Sequence, residues 1–348
     1  MKQERVDVEG WHNVMRFEDP DRGFLALVSV HNNNLGPGLG GCRMRAYDSY
    51  EAGLEDVKNL SRGMTYKNAL AGIPFGGGKS VIFGDPHKDK TDDLFEAYGE
   101  AINLLAGQYI GAQDSGITTD DLRIANKITP HLVGIPDEQG RGGNPSPFTS
   151  YGVWKGMKAA AQTAFGDGSL AGKRVAIAGV GAVGMGLAEL LHGEGAELIV
   201  ADVYEPALAK ARSQFNATVV PVEEIISQNA DIFAPCALGG SINPETIETI
   251  KAKVIAGAAN NQLTDIKLAD RLAERGILYA PDYVINAAGV ISVGLEWLGQ
   301  WEHDALITRL DGIGDTLSKI FARSKTSGTS TAVVADRLAE EIFLNLRA

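Results

Sequence analysis

Two lysines, Lys67 and Lys79, stand twelve positions apart, and the second follows three consecutive glycines in Met64-Thr-Tyr-Lys67-Asn-Ala-Leu-Ala-Gly-Ile-Pro-Phe-Gly-Gly-Gly-Lys79. An amine taken out of water gives up its proton more readily, so a buried lysine can serve as a general base, while one that stays charged can anchor a carboxylate. The pair could divide those roles. Glycine has no Cβ, so the run from Gly76 to Gly78 permits strained or left-handed backbone and lets a ligand lie close against it. As a bare motif it equally fits a flexible turn ending in a solvated lysine. A nucleotide P-loop is disfavoured, because residue 73 is Ile where Gly-x-x-x-x-Gly-Lys needs glycine.

A second glycine cluster, Gly179-Val-Gly181-Ala182-Val183-Gly184, has more context. It follows the apolar run Lys173 to Ala178, opens a helical pattern through Leu187, Leu190 and Leu191, and is succeeded by a second apolar run that ends at Asp202. Strand, glycines, helix and acidic strand end together spell a dinucleotide site. Gly179 makes the turn, Gly181 lets the pyrophosphate reach the backbone, and Gly184 allows close helix packing, while the helix N-terminus receives the phosphate charge. Asp202 accepts hydrogen bonds from the ribose hydroxyls and repels a 2′-phosphate. The following Val203-Tyr-Glu205 supplies no arginine to neutralise one, so NAD is expected rather than NADP.

The surrounding pattern is that of an α/β protein in two domains. Phe24 to Val30 reads as a strand, and Asn32 to Gly38 as a turn leading to Leu39 among glycines, with the backbone there a candidate for lying against a ligand. From Ser49, apolar residues at Leu54, Val57, Leu60 or Ser61, and Met64 predict a helix that delivers Lys67. Ser80 to Phe83 reads as a buried strand, Thr91 opens a helix, and Tyr109 to Ala112 is a strand leading into Gln113-Asp114. Asp114 there suits a turn or helix cap as well as catalysis. Gly134 to Pro147, rich in glycine and proline, is the expected linker.

Beyond the linker a helix is expected from Thr149 to about Phe165. Strands at 231–234, 254–256 and 278–280, with helices after Pro244 and over 265–275, complete a doubly wound parallel sheet. Its strand ends carry Pro235-Cys236-Ala237-Leu-Gly-Gly, Gly257-Ala-Ala-Asn260-Asn261 and Pro281-Asp-Tyr-Val-Ile-Asn286. Ligands bind outside such ends, so these asparagines are candidates for nicotinamide and substrate. The chain from about Glu302 reads as helical with a break at Lys325 to Gly328, and a last amphipathic helix is expected over Ala332 to Leu346.

Composition removes several alternatives. The 348 residues exceed what one core usually organises, and 44% apolar with 22% charged residues is globular, with no run long enough to span a membrane. A net charge of −12 disfavours nucleic acid and anionic membrane as partners. Cys42 and Cys236 lie far apart, and the six histidines show no ligand spacing, so neither a disulfide framework nor a metal site is expected. The chain start does not read as a signal peptide, and a cytoplasmic location is expected.

Eight separated motifs then resemble, in order and over nearly the whole chain, the leucine, valine and phenylalanine dehydrogenase branch of the glutamate dehydrogenase superfamily. They are Gly36-Pro-Gly-Leu39-Gly40-Gly, Met64-Thr-Tyr-Lys67, Gly76-Gly-Gly-Lys79, Gln113-Asp114, the fingerprint at Gly179, Ala234-Pro-Cys-Ala-Leu-Gly-Gly, Gly257-Ala-Ala-Asn-Asn-Gln and Pro281-Asp-Tyr-Val-Ile-Asn. The resemblance implies an N-terminal α/β substrate and oligomerisation domain over 1–135, with a C-terminal helix at about 329–348 packing back on it. It also implies a Rossmann-type NAD-binding domain over 148–325 and a cleft between the two. The implied reaction is reversible oxidative deamination of an L-amino acid to a 2-oxo acid, ammonium and NADH, by a homo-oligomer, octameric or dimeric.

By the same resemblance Lys67 binds the substrate carboxylate, Lys79 is the base that activates water, and Asp114 handles protons at the amino group. Burial of Lys79 beside Lys67 would bring its pKa toward the working pH. Asn261 and Gly40 would touch substrate, and Cys236, Ala237, Asn260 and Asn286 the cofactor. The side-chain pocket maps to Leu39, Ala112, Val290 and Val293, small aliphatic residues of the leucine type. Glutamate is disfavoured because its distal carboxylate would meet Leu39 unpaired. Aromatic substrates rank second, and a non-catalytic NAD(H)-binding sensor is the alternative from another class, although all of Lys67, Lys79 and Asp114 are present.

Overall fold

A computed structural model describes residues 1–137 and 141–344. Residues 138–140 of the expected linker, and the last two positions of the expected C-terminal helix, 345 and 346, lie outside the described residues. The chain divides into two compact units, one of Met1–Gly143, Val290–Glu302 and Ala339–Ala348, the other of Asn144–Gly289 and His303–Leu338.

The first unit is built on a mixed six-stranded sheet. Its strands are β1 (Lys2–Arg5), β2 (Asn13–Asp19), β3 (Phe24–Asn32), β4 (Gly38–Arg45), β5 (Gly76–Phe83) and β6 (Tyr109–Gln113), in the order β1-β2-β3-β5-β4-β6. The first four in that order pair antiparallel with one another, whereas β4 is parallel to both β5 and β6. Helices α1 (Tyr50–Leu70), α2 (Asp92–Leu104) and α3 (Thr119–Asn126) accompany it. Ser49 caps α1 by accepting from the Ala52 N–H, and Thr91 caps α2 by accepting from Leu94, so the helix starts fall where their cap residues predict. Phe17, Phe95, Tyr98 and Tyr109 fill the core between α2 and the sheet.

Two expectations change here. The run Gly76–Gly78 is neither a loop nor left-handed: it is the first half of β5, in extended backbone. The face of α1 that packs inward is only partly the expected stripe: Val57 and Ser61 are buried, but Leu54 and Met64 are half-buried while Gly53 and Thr65 are buried beside them. One cause accounts for both. A Cβ on Gly77 would stand 2.1 Å from the Thr65 backbone nitrogen and 2.4 Å from the Ser61 carbonyl oxygen, so helix backbone lies directly on strand backbone. Only small side chains fit between them.

The second unit holds a six-stranded sheet, parallel throughout. Its elements are α4 (Ser146–Phe165), β7 (Arg174–Ala178), α5 (Ala182–Gly193), β8 (Glu197–Ala201), α6 (Glu205–Phe215), β9 (Thr218–Val219), β10 (Ile232–Pro235), β11 (Val254–Ile255), α7 (Leu268–Glu274), β12 (Leu278–Tyr279) and α8 (Asp282–Ile285). The strand order β12-β11-β10-β7-β8-β9 reverses direction between β7 and β10, the doubly wound order with its switch point there. Three further helices complete the chain: α9 (Ala288–Trp297), α10 (His303–Ser327) and α11 (Thr331–Leu344).

The helix expected after Pro244 is only a 3-10 turn, Ile247–Thr249. Asn243 Oδ1 accepts from the Glu245 and Thr246 N–H groups at 3.0 Å, the bonds of a helix start, but the chain goes on only as that single turn. Likewise Asp265 accepts from the Lys267 N–H at 2.9 Å, and α7 starts only at Leu268. The short strands β1 and β9, and helices α3, α6, α8 and α9, were not foreseen from periodicity.

Candidate functional site

In the first unit, β4 lies between β5 and β6 and gathers the residues singled out from sequence. Lys79 comes from β5 and is 6% exposed; Asp114 follows β6 directly. The Lys79 Nζ donates to Asp114 Oδ2. A Cβ on Gly41 would stand 2.8 Å from the Asp114 Cβ, so glycine at that point of β4 lets the carboxylate sit where it does. Burial pushes the Asp114 carboxyl up, but the charges of Lys79 and Arg43 and the Ser115 N–H outweigh it and hold the group below the ordinary carboxylate value. It is a carboxylate at neutral pH.

Arg43, which sequence reasoning missed, stands two residues after Gly41 on β4. Its Nη1 donates to both oxygens of Asp56 on α1, at 3.2 and 3.0 Å, and its Nε lies 3.4 Å from Asp114 Oδ2. The Tyr47 hydroxyl donates to Asp56 at 2.6 Å. Below Lys79 a buried layer supports the strands: Ser80 Oγ meets the Tyr98 hydroxyl at 3.0 Å, and the Tyr109 hydroxyl donates to the Gly40 carbonyl at 2.7 Å. Cys42 belongs to this layer, and burial pushes its thiol up to about 11, so it is a protonated packing residue.

Lys67 is half-buried in the last turn of α1, between two tethered neighbours. The Tyr66 hydroxyl donates to Glu340 at 2.7 Å, and Asn68 Nδ2 donates to the Leu39 and Gly76 carbonyls at 3.1 and 2.7 Å. Leu39 is fully buried, Ala112 is 9% exposed, and Gly40 and Ala112 sit in adjoining rungs of the β4–β6 ladder. Val290 and Val293 are half-buried on α9. That helix is fixed to the chain after β6 by Glu296, whose carboxylate accepts from the Gly134 N–H at 3.1 Å, and Val293 lies next to Gly134. Burial raises the Glu296 carboxyl above its usual value. The structure thus brings Leu39, Gly40 and Ala112 onto one pair of strands, with Val290 and Val293 on a separate helix.

In the second unit the fingerprint lies at the switch point. Gly179 has φ +98°, and a Cβ there would stand 2.7 Å from that of Ala237 beyond β10. Gly184 is crowded by the Gly179 carbonyl oxygen, at 2.0 Å from where its Cβ would be. Gly181, the cap residue of α5, has open space on that side, with nothing within 4 Å. A pyrophosphate needs such a gap ahead of a helix N-terminus. Ala182 and Val183 form the first turn of α5.

Asp202 is half-buried; its Oδ2 accepts from the Val180 N–H at 2.7 Å and its Oδ1 from Tyr204 at 2.9 Å. Each oxygen keeps a lone pair for a ribose hydroxyl. Cys236 is half-buried, and Ala237, Asn260 and Asn261 are exposed at the strand ends. Asn286 is 6% exposed and donates to Asn260 Oδ1 at 2.7 Å and to the Ala258 carbonyl at 3.0 Å. Asn261 takes the left-handed φ of +51°, a strain that clusters at binding sites. Among the described residues no helix is long and apolar enough to cross a membrane.

Residues 12–133 match the family model described as Glu/Leu/Phe/Val dehydrogenase, dimerisation domain, and residues 201–339 match Glutamate/Leucine/Phenylalanine/Valine dehydrogenase. A leucine dehydrogenase of Bacillus cereus is 48% identical over 99% of this chain and 94% of its own length. One from Geobacillus stearothermophilus is 49% identical over 98% of this chain and 93% of its own. The crystal structure of L-tryptophan dehydrogenase from Nostoc punctiforme superposes with a TM-score of 0.88 at 41% identity, covering 97% of each chain.

Proposed function

Because the chain belongs to the Glu/Leu/Phe/Val dehydrogenase family, we propose that it deaminates branched-chain aliphatic L-amino acids, leucine, isoleucine and valine, through the buried Lys79–Asp114 pair. The balanced reaction is amino acid, NAD⁺ and water to 2-oxo acid, ammonium, NADH and a proton. Bound NAD supplies the acceptor for the hydride that leaves the substrate Cα. The gap at Gly181 fits its pyrophosphate, with Gly179 to Gly184 as the cradle and Asp202 on the ribose. Cys236, Ala237, Asn260 and Asn286 are assigned to its nicotinamide side.

On the substrate, the Lys67 ammonium pairs with the α-carboxylate and fixes its orientation. Lys79 then takes a proton from the water that attacks the imino carbon, passes it to the carbinolamine nitrogen, and takes the hydroxyl proton as the C–N bond breaks and the carbonyl forms. Asp114, ionised and hydrogen-bonded to Lys79, exchanges protons at the substrate nitrogen, so that ammonium leaves protonated. Asn261 is assigned to the substrate side. Leu39, Gly40, Ala112, Val290 and Val293 provide the apolar lining against which a branched side chain is desolvated. One methylene is worth only about 1–3 kcal/mol in such a lining, so several aliphatic amino acids should turn over.

A second reading, aromatic substrates, is favoured by the likeness to the tryptophan dehydrogenase structure. NADH formation with leucine, valine, phenylalanine, tryptophan and glutamate, beside Lys79→Ala, separates the two. Aliphatic turnover lost by about 10²-fold to 10⁴-fold in the variant supports the first reading. Turnover only with aromatics overturns it, and dinucleotide binding without turnover leaves a sensor. We assign substrate binding and self-association to residues 1–135, together with the 290–302 segment that belongs to the same unit, and NAD binding to the rest of 148–325, in a cytoplasmic homo-oligomer, dimeric or octameric. The match to a dimerisation-domain model supports self-association, and light scattering at defined concentration measures its order.

A further inference from the structure

The shared oxygen of Asp114 carries an inference that rests on the deamination reading. Asp114 Oδ2 meets two cations, the Nζ of Lys79 from β5 and the Nε of Arg43 from β4. Arg43 cannot follow the carboxylate freely, because its other end is forked onto Asp56 of α1, which the Tyr47 hydroxyl holds in turn. Its Nε is buried and makes no hydrogen bond of its own, so it faces Asp114 as a charge at 3.4 Å. A lysine there could supply a charge to one carboxylate but could not face Asp56 and Asp114 from two separate nitrogens of one rigid plane.

We propose that Arg43 is a positioning residue of the deamination site, a guanidinium tethered by Asp56 that fixes the orientation of the Asp114 carboxylate against Lys79. With only Lys79 beside it, the carboxylate could swing with the lysine each time that amine gives up or regains a proton. The fixed second cation keeps Oδ2 in place through the proton transfers. The charged or titratable groups that face Asp114 are Lys79 and Arg43; those that face Arg43 are Asp114, Asp56 and Tyr47, with the Cys42 thiol and Tyr109 hydroxyl in the layer beneath. Removing Arg43 withdraws a charge that favours the ionised form, so Asp114 would protonate at higher pH.

The test compares Arg43→Gln, Arg43→Lys and Asp56→Asn with the unsubstituted enzyme in the pH profile of kcat/KM, and follows Asp114 directly by ¹³C NMR titration, with Asp114→Asn giving the assignment. Arg43→Gln is expected to lose about 10-fold to 100-fold in kcat/KM, with its acid limb and the Asp114 titration both moved to higher pH. Arg43→Lys should restore the limb but only part of the rate. Asp56→Asn should lower the rate without raising the limb, because the charge stays while its tether is gone. An Arg43→Gln enzyme that melts earlier but keeps rate and limb overturns the proposal, as does an unmoved Asp114 titration. If Arg43→Gln does not fold, unaltered rate and limb in both other variants overturn it. The NMR arm reads out even if no amino acid is turned over, which separates failure of this inference from failure of the deamination reading.

Discussion

The glycine run before Lys79 and the glycine fingerprint after β7 look alike as sequence, yet they serve opposite ends. Around Gly77 the space that a side chain would take is already occupied by the backbone of α1, at 2.1 Å. Beside Gly181 it is empty to 4 Å. The first cluster brings two of the protein's own elements together so that Lys67 and Lys79 are held by one helix–strand contact. The second leaves space open ahead of the α5 N-terminus, where the proposed pyrophosphate would approach. A glycine-rich stretch is therefore a statement about closeness, and only its surroundings say what comes close.

The strongest way to break this contrast is Gly77→Ala. Since the obstacle is helix backbone rather than a movable side chain, α1 must lift from β5, and a loss of about 3 kcal/mol in urea unfolding is expected. A loss under about 1 kcal/mol would mean that the helix has slack. Next is Gly41→Ala, whose methyl meets the Asp114 Cβ at 2.8 Å. Displacing the carboxylate should cost about 10²-fold in kcat/KM, with a smaller change in melting temperature than Gly77→Ala gives.

Gly181→Ala sharpens the contrast from the other side. With nothing to strike, it should change stability by no more than about 0.5 kcal/mol, while the KM for NAD rises about 10-fold because the methyl enters the phosphate approach. An equal fall in stability would show that the gap is only apparent. The smallest effect expected is a pH effect confined to the first unit. His31 packs against Trp11 and Phe343 and bonds the Thr65 hydroxyl at 2.9 Å; burial, then the Arg62 charge, lower it from 6.5 to about 4. The unfolded chain takes up that proton below about 6.5 and the folded one only near 4, so stability falls as pH drops through this window. His31→Gln should flatten the melting-temperature profile there and leave the KM for NAD unchanged.

The parallel sheet of the second unit was legible because strands buried on both faces read as apolar runs, and because Gly179 to Asp202 is a contiguous pattern with a mechanism. Lys79 and Asp114 could be singled out as types, and they are hydrogen-bonded. The inward face of α1 was read only in part, at Val57 and Ser61, because a helix lying on glycines also buries Gly53 and Thr65, which a hydrophobicity pattern does not assign to the core. Arg43 gave no signal at all. Its partners come from different elements, Asp56 from the helix that follows and Asp114 from a strand end far along the chain, and an isolated arginine in a strand looks like a surface residue.

The double role proposed for Asp202 bears on how such a chain could change its diet of redox carriers. The usual first step toward a phosphorylated dinucleotide is to discard the acidic residue at the end of the second strand. Here that residue also grips the amide of Val180 inside the fingerprint and the amide that opens α6. Dropping it would loosen the very turn the new carrier needs, so the single substitution is a valley rather than a slope. A lineage or an engineer would have to install another acceptor for those amides before the preference could move.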